Sequence, residues 1–205
     1  MTARHAMAQL AEEGLVRRDP GRGTFVAEPP TQRRANFLMT FSHEMRRQGR
    51  VPSSRIVERT VRPPTDGERY ELRIAPEGEV MDLHRVRLAD GQPVAIERAV
   101  LASRCIDAVL AADLEAGSLH EALIGGDMVP SHGKSSIRAE AASREDAELL
   151  GVAAGEPMLV ERRLIFDQRG RPMERTESRY AADRYGLNVG FSVEASGAVT
   201  IAPEA

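Results

Sequence analysis

The chain has 205 residues, of which 41% are hydrophobic and 29% are charged. This balance is typical of a folded protein with a sizeable core, and it excludes a disordered or fibrous chain. The net charge of −3 provides no overall basic field, so any contact with nucleic acid has to be local. The single cysteine, Cys105, excludes a disulfide framework and a thiolate metal site. We find no apolar run as long as a membrane span and no apolar region typical of a signal peptide in this sequence, so we expect a cytoplasmic protein.

The first 28 residues predict one helix followed by a β-hairpin. Apolar residues recur at helical spacing over residues 2–13, and Gly14 is a typical helix end. Strands are predicted over residues 15–18 and 23–26, joined by a turn at Asp19-Pro20-Gly21. The adjacent prolines Pro29 and Pro30 then begin a polar linker, predicted over residues 29–35.

Residues 36–202 predict a domain of the α+β class, built on an antiparallel sheet with helices on its face. The segment Ala89-Asp90-Gly91-Gln92 is a typical hairpin turn between two of its strands. Strands are predicted over residues 55–61, 80–88, 94–101, 136–141, 158–166 and 173–180, and helices over 36–48, 66–72, 106–110, 118–124 and 144–150.

A weak internal repeat relates residues 72–93 to residues 149–172. Each segment contains the end of a helix, then Gly-Glu, then a strand that includes an arginine, and after the strand an aspartate, a glycine and a proline. This pattern equates Arg85 with Arg162. Two copies of a helix–hairpin unit would form one sheet with a cleft between the halves.

Charged residues occur at alternate positions of three predicted strands, where the side chains share one face. Arg85 and Arg87 lie together on one strand, and Glu97 is the only charge among small apolar residues on the next. The planar guanidinium group matches phosphate or carboxylate, so a site for a small anion is one interpretation. Structural salt bridges between these arginines and Glu97 or Glu174 are the alternative. The later strand presents Glu174, Thr176, Ser178 and Tyr180 on one face.

The N-terminal segment resembles the recognition helix and wing of GntR-type winged helix-turn-helix regulators. The resemblance rests on Thr2-Ala3-Arg4-His5-Ala6, Gly14-Leu15-Val16 and Gly21-Arg22-Gly23-Thr24-Phe25-Val26. It implies DNA contacts in the major groove from the helix and at the backbone or minor groove from the wing. An ordinary helix and hairpin are the alternative, because residues 1–30 hold arginines and acids in equal number. The residues assigned to DNA binding are Thr2, Arg4, His5, Arg22, Gly23 and Thr24.

The two helices that precede the recognition helix in this family have no counterpart after Met1. Residues 1–28 are therefore expected to be a partial winged helix-turn-helix. Because a short helix without its supporting helices is marginally stable, we expect this chain to bind operator DNA weakly or not at all.

Residues 36–202 resemble the UTRA effector-binding domain of HutC-type regulators, which shares the chorismate lyase fold. The resemblance rests on Arg85-Val86-Arg87, Asp90-Gly91-x-Pro93, Glu97, Glu174-x-Thr176-x-Ser178-x-Tyr180 and Asp183-Arg184-Tyr185. It implies that Ser42, Arg85, Arg87 and Ser118 bind a phosphate and that Glu97, Glu174 and Tyr180 hold the body of the ligand. For Ser118, N-capping of a helix in a capping box with Glu121 is the alternative.

These resemblances together predict a homodimeric transcriptional repressor that responds to a small anionic metabolite, such as a sugar phosphate or a carboxylate. They imply no catalytic residue, no cofactor, no metal ion and no membrane partner. An effector-binding module without DNA binding and a chorismate lyase-like enzyme are the alternatives. The wing sequence favours the regulator, because a lyase has no use for it.

Overall fold

The computed structural model describes residues 41–188 without a gap, together with Met7, Leu10 and the strands 16–19, 23–26, 31–34, 192–193 and 199–200. β1 (Val16–Asp19) and β2 (Gly23–Val26) form the antiparallel hairpin predicted from the sequence, with Val16 opposite Val26. Met7 and Leu10 are helical, as predicted, and the rest of the helix predicted over residues 2–13 lies outside the described residues.

A six-stranded antiparallel sheet forms the centre of the fold. Its strands run in the order β4-β5-β6-β9-β8-β7, so the first three and the last three in sequence occupy opposite halves. The strands are β4 (Pro52–Arg62), β5 (Val80–Ala89), β6 (Gln92–Ala102), β7 (Pro130–Ala141), β8 (Pro157–Asp167) and β9 (Pro172–Ala181). All six predicted strands are present, and β4 and β7 begin three and six residues earlier than predicted.

Each half of the sheet is a strand, a helix and a β-hairpin, which agrees with the predicted repeat. The helices are α2 (Asp66–Leu72) and α5 (Arg144–Leu150), and they pack on the same face, here called the back face. Thr65 and Ser143 begin them with full capping boxes, and Arg73 and Gly151 end them in the left-handed conformation. Identical local signals therefore start and stop the two helices.

The register of the sheet corrects one detail of the repeat. The sequence equates Arg85 with Arg162, but Arg163 is the residue that lies on the same face as Arg85. Arg162 lies on the back face, where it pairs with Glu140 and Glu177. A shift of one residue moves a side chain to the other face of a strand, and a weak repeat does not fix the alignment to one residue.

The opposite face, here called the front face, carries α1 (Phe41–Arg47), α3 (Ile106–Ala111) and α4 (Leu119–Gly125). The helices α3 and α4 belong to the segment that links the two halves of the sheet. One apolar cluster packs α3 and α4 against the sheet and includes Leu83, Leu101 and Val109. A second packs α1 against the sheet and includes Met45 and Ala95. The strip of the sheet between these clusters is polar and buried.

Two features lie outside the main sheet. Within the segment predicted as a linker, β3 (Thr31–Arg34) pairs in parallel with β10 (Tyr185–Asn188). The short strands β11 (Ser192–Val193) and β12 (Val199–Thr200) pair with each other. In the described part of the chain, no helix is both long enough and apolar enough to cross a membrane.

Candidate functional site

The polar strip of the front face opens into a small cavity. Its empty volume is about 270 Å³, part of which is open to solvent. The sheet forms its floor, and α1 and the start of α4 form its walls. The lining residues are Phe41, Ser42, Arg85, Arg87, Glu97, Ser118, Leu119, His120, Arg163 and Glu174.

Arg85 and Arg87 share one carboxylate oxygen at the floor of this cavity. Glu97 is the register partner of Arg85 on the neighbouring strand, and its Oε1 accepts hydrogen bonds from Nη2 of Arg85 and from Nη1 of Arg87, the latter at 3.3 Å. All three side chains are buried, with Arg85 only 1% exposed. The salt-bridge alternative is therefore correct for Glu97, but a single carboxylate faces two guanidinium groups beside an open space.

The pKa values of these groups reflect that imbalance. Burial, and then the charge of Arg85, lower the pKa of Arg87 to about 10, although Glu97 acts in the opposite direction. Burial also opposes ionisation of Glu97, yet Arg85 and Arg87 hold the pKa of its carboxyl far below its ordinary value. The carboxylate is thus fully charged, and it compensates the two arginines incompletely.

Helix α1 places two residues against Arg87. The Nη2 of Arg87 donates a hydrogen bond to Oγ of Ser42 at 3.0 Å, and its guanidinium lies 4.6 Å from the centroid of the Phe41 ring. Stacking on an aromatic face and a hydroxyl acceptor hold the guanidinium plane in one orientation. Ser42, predicted from the family resemblance, therefore lies in the cluster of site residues.

Ser118 lines the cavity and also caps α4. Its Oγ accepts a hydrogen bond from the backbone N–H of Glu121 at 3.4 Å. The expected capping box is incomplete, because the carboxylate of Glu121 pairs with Arg46 of α1 at 2.7 Å instead. This exposed ion pair joins the two helices that form the walls of the cavity.

Glu174 lies at the other end of the cavity and makes two hydrogen bonds that the sequence did not suggest. Its Oε2 lies 2.6 Å from Nε2 of His120, and its Oε1 accepts a hydrogen bond from the hydroxyl of Thr176. Burial opposes ionisation, but His120, Arg163 and Thr176 keep the pKa of the Glu174 carboxyl below its ordinary value. The carboxylate of Glu174 is therefore charged, and both of its oxygens have hydrogen-bond partners.

Tyr180 differs from the other predicted residues. Its ring stacks on Tyr185, with 3.8 Å between the ring centroids, in the apolar cluster beneath α1. It is 4% exposed and does not line the cavity. The structure thus brings six of the seven predicted residues to the cavity and leaves Tyr180 in the packing beside it.

Four lining residues were not predicted as site residues: Phe41, Leu119, His120 and Arg163. His120 has no metal-like spacing to the other histidines, and its position two residues after the Ser118 cap was the only available signal. Arg163 required the register of β8, since Arg162 and Arg163 are adjacent and only one faces the cavity. Within the described ranges, no cluster of three histidine, cysteine, aspartate or glutamate side chains is arranged to hold a metal ion.

Among the residues assigned to DNA binding, the structure describes Gly23 and Thr24. Both are exposed at the start of β2, and Gly23 has φ = +117°, a conformation that L side chains rarely adopt. Thr2, Arg4, His5 and Arg22 lie outside the described residues.

Comparison with known proteins identifies the domain. Residues 47–186 match the UTRA domain. The chain is 32% identical over 190 residues to the HTH-type transcriptional repressor NagR of Bacillus subtilis, covering 90% of this chain and 76% of that protein.

Solved structures agree with this result. The crystal structure of PhnF from Mycobacterium smegmatis superposes with a TM-score of 0.76 at 23% identity, covering 93% of this chain and 84% of that one. A GntR-family transcriptional regulator from Enterococcus faecalis superposes with a TM-score of 0.57 at 25% identity, covering 69% of this chain and 99% of that one. NagR and the Enterococcus faecalis protein are named as transcriptional regulators, which decides against the lyase alternative. The chain therefore belongs to the UTRA-domain family and is a transcriptional regulator of the GntR type.

Proposed function

We propose that this protein is a ligand-responsive, DNA-binding transcriptional repressor of the HutC type, and that a small anion bound in the front-face cavity controls it. The observation that carries the proposal is that Arg85 and Arg87 are buried beside an open space with only Glu97 between them. An anion in that space would supply the second negative charge that the pair of arginines lacks.

The charge of the whole lining supports the same proposal. Three arginines and two glutamates line the cavity, and Nε of Arg163 lies 3.9 Å from the carboxylate of Glu161. The positive charge that lacks its own carboxylate is therefore at Arg85 and Arg87, which share Glu97. Ser42, which accepts a hydrogen bond from Arg87, and Ser118 add two hydroxyl groups to the lining. Phosphate monoesters and carboxylates are the ligand classes that fit these residues.

The proposed mechanism couples the cavity to DNA through a homodimer. Ligand binding would favour one arrangement of the two protomers and so change the spacing of their DNA-binding heads. In each head, Thr2, Arg4 and His5 would contact the major groove, and Arg22, Gly23 and Thr24 the DNA at the wing. The repressor function of NagR supports this assignment.

A thermal-shift screen tests the anion site. The probes are inorganic phosphate, simple phosphate monoesters and small carboxylates. A ligand at 100 times its dissociation constant should stabilise the protein by about 2.7 kcal/mol. The variant Arg87→Met should lose the shift, whereas Arg138→Met, which removes an exposed arginine on the back face, should retain it. A shift that survives Arg87→Met would overturn the proposed site. A mobility-shift assay with operator DNA measures whether this chain binds DNA, which its partial winged helix-turn-helix is expected to do weakly, and whether the ligand changes that binding.

A further inference from the structure

The strand β7 is an open edge of the six-stranded sheet. It pairs with β8 along one side, and ten of its twelve residues are exposed while none is buried. Along its other side, β7 has no strand partner among the described residues. The backbone N–H and C=O groups of a long edge strand form a template to which a second chain adds as a further strand.

The opposite edge of the sheet is protected against such pairing. The register of β4 shifts between Ile56 and Glu58, and the backbone N–H of Ser54 donates a hydrogen bond to the carbonyl oxygen of Glu115 in a neighbouring loop. Irregular strands and covering loops are the usual protection of a sheet edge. The register of β7 is regular from His132 to its end, so of the two edges β7 is the one suited to pairing.

The charges of β7 select one register for pairing with a second copy of this chain. In a closed dimer the two strands run antiparallel about a twofold axis, and residues opposite each other lie on the same face. A centre at Ser136 would place Lys134 opposite Arg138, and a centre at Arg138 would place two guanidinium groups opposite each other. A centre at Ile137 places Lys134 of each copy opposite Glu140 of the other, on the back face.

The surroundings of these residues fit the same register. Lys134 is the only lysine in the sequence. Glu140 belongs to a group of back-face ion pairs that has one more carboxylate than guanidinium groups: Arg162, Arg179, Glu140, Asp146 and Glu177. A lysine from the other copy would balance this group. On the front face, Ile137 is 37% exposed and would pack against Ile137 of the other copy.

We propose that β7 is the dimer interface of this domain, where it pairs antiparallel with β7 of a second copy about a centre at Ile137. This inference rests on the homodimer of the proposed function and specifies its interface. The interface lies close to the cavity, because Ser135 of β7 donates a hydrogen bond to Glu161 at 2.8 Å and Glu161 pairs with Arg163 of the lining. Ser135 and Glu161 thus connect the cavity with the contact between protomers.

Carbodiimide cross-linking of the wild-type protein tests this register. The reagent joins a lysine to a carboxylate only where the two are in direct contact. Lys134 and Glu140 of one strand are about 20 Å apart, because a strand rises about 3.3 Å per residue, so a cross-link between them forms only between two copies. Mass spectrometry of the cross-linked dimer should find this link. A dimer in which Lys134 is joined to other carboxylates and not to Glu140 would overturn the register.

Variants of β7 provide a second test. In Ile137→Cys the two cysteines face each other across the axis at about 5 Å between Cα atoms, so oxidation should join the copies by a disulfide. In the control Ser136→Cys the two cysteines are diagonal neighbours at about 7–8 Å and should stay unlinked. Lys134→Glu places like charges opposite each other and should raise the dissociation constant of the dimer about tenfold in sedimentation equilibrium.

The outcomes separate this interface from the homodimer itself. If the wild type sediments as a monomer at every concentration, the homodimer of the proposed function and the interface both fail. If a dimer forms but Ile137→Cys stays unlinked, or Lys134→Glu leaves the dissociation constant unchanged, the interface is wrong although the homodimer stands. Lys134 would then serve only to keep an exposed edge from pairing.

Discussion

Arg98 and Glu177 are register partners at the centre of the six-stranded sheet, and they occupy equivalent positions of its two halves. The two halves of the sheet are therefore related by an approximate twofold axis that passes between these two residues. On the front face, equivalent positions then hold Arg85 and Arg163, which both line the cavity. The repeat thus places one arginine from each half of the sheet in the lining of the cavity.

The carboxylate of Glu97 should be essential to stability. In Glu97→Gln, Arg85 and Arg87 lose their shared counterion in a buried environment, and we expect a loss of about 3–5 kcal/mol in the free energy of unfolding. Urea denaturation measures this loss. Inorganic phosphate should stabilise the variant more than the wild type, because it would replace the missing charge. An equal response to phosphate in the two proteins would contradict the proposed position of the anion.

The two capping boxes should contribute equally to stability. Thr65→Ala and Ser143→Ala each remove the side-chain oxygen that accepts from the third residue of the helix, and each should cost about 1 kcal/mol. The double variant should show the sum of the two losses, since the caps lie in different halves of the sheet. Thermal or urea unfolding checks both statements, with Ser136→Ala on exposed β7 as a control. A large loss from only one cap would show that the halves are not equivalent in energy.

The ion pair of Arg62 and Glu68 should make the free energy of unfolding decrease at acidic pH. Hydrogen bonds from Arg62 lower the pKa of Glu68 to about 2, although burial opposes this, and its ordinary value is 4.5. Because the folded-state pKa is the lower one, this contribution is fully present above about pH 4.5 and is lost as the pH falls toward 2. Urea unfolding from pH 6 to pH 3 should therefore show the difference between wild type and Glu68→Gln shrinking with falling pH. A difference independent of pH would contradict this assignment.

Gly117 should be required for the position of the cavity wall. A Cβ atom at Gly117 would lie 2.3 Å from the backbone oxygen of Asp113, so the turn before Ser118 would have to open. Gly117→Ala should therefore lower stability by about 1–3 kcal/mol and weaken phosphate binding. Gly125→Ala is the matched control, because no atom lies within 4 Å of its added Cβ. Equal behaviour of the two variants in urea unfolding and phosphate titration would disprove this role.

The sequence by itself determined the secondary structure of the domain, its duplication and the core of the site. Hydrophobic periodicity, helix caps and hairpin turns act over a few residues, so they can be read without knowledge of the fold. Arg85, Arg87 and Glu97 could be grouped for the same reason, because alternation along a strand fixes which side chains share a face.

Only the tertiary structure decided which residues from distant segments complete the cavity. His120 comes from the segment that links the two halves, Phe41 from a helix before the sheet, and Arg163 faces the cavity rather than Arg162 because of the register of β8. Tyr180 lies on the same face as the site residues, yet it stacks on Tyr185 of a strand that pairs outside the main sheet. These outcomes depend on contacts between residues far apart in sequence, and local patterns contain no information about which partners will meet.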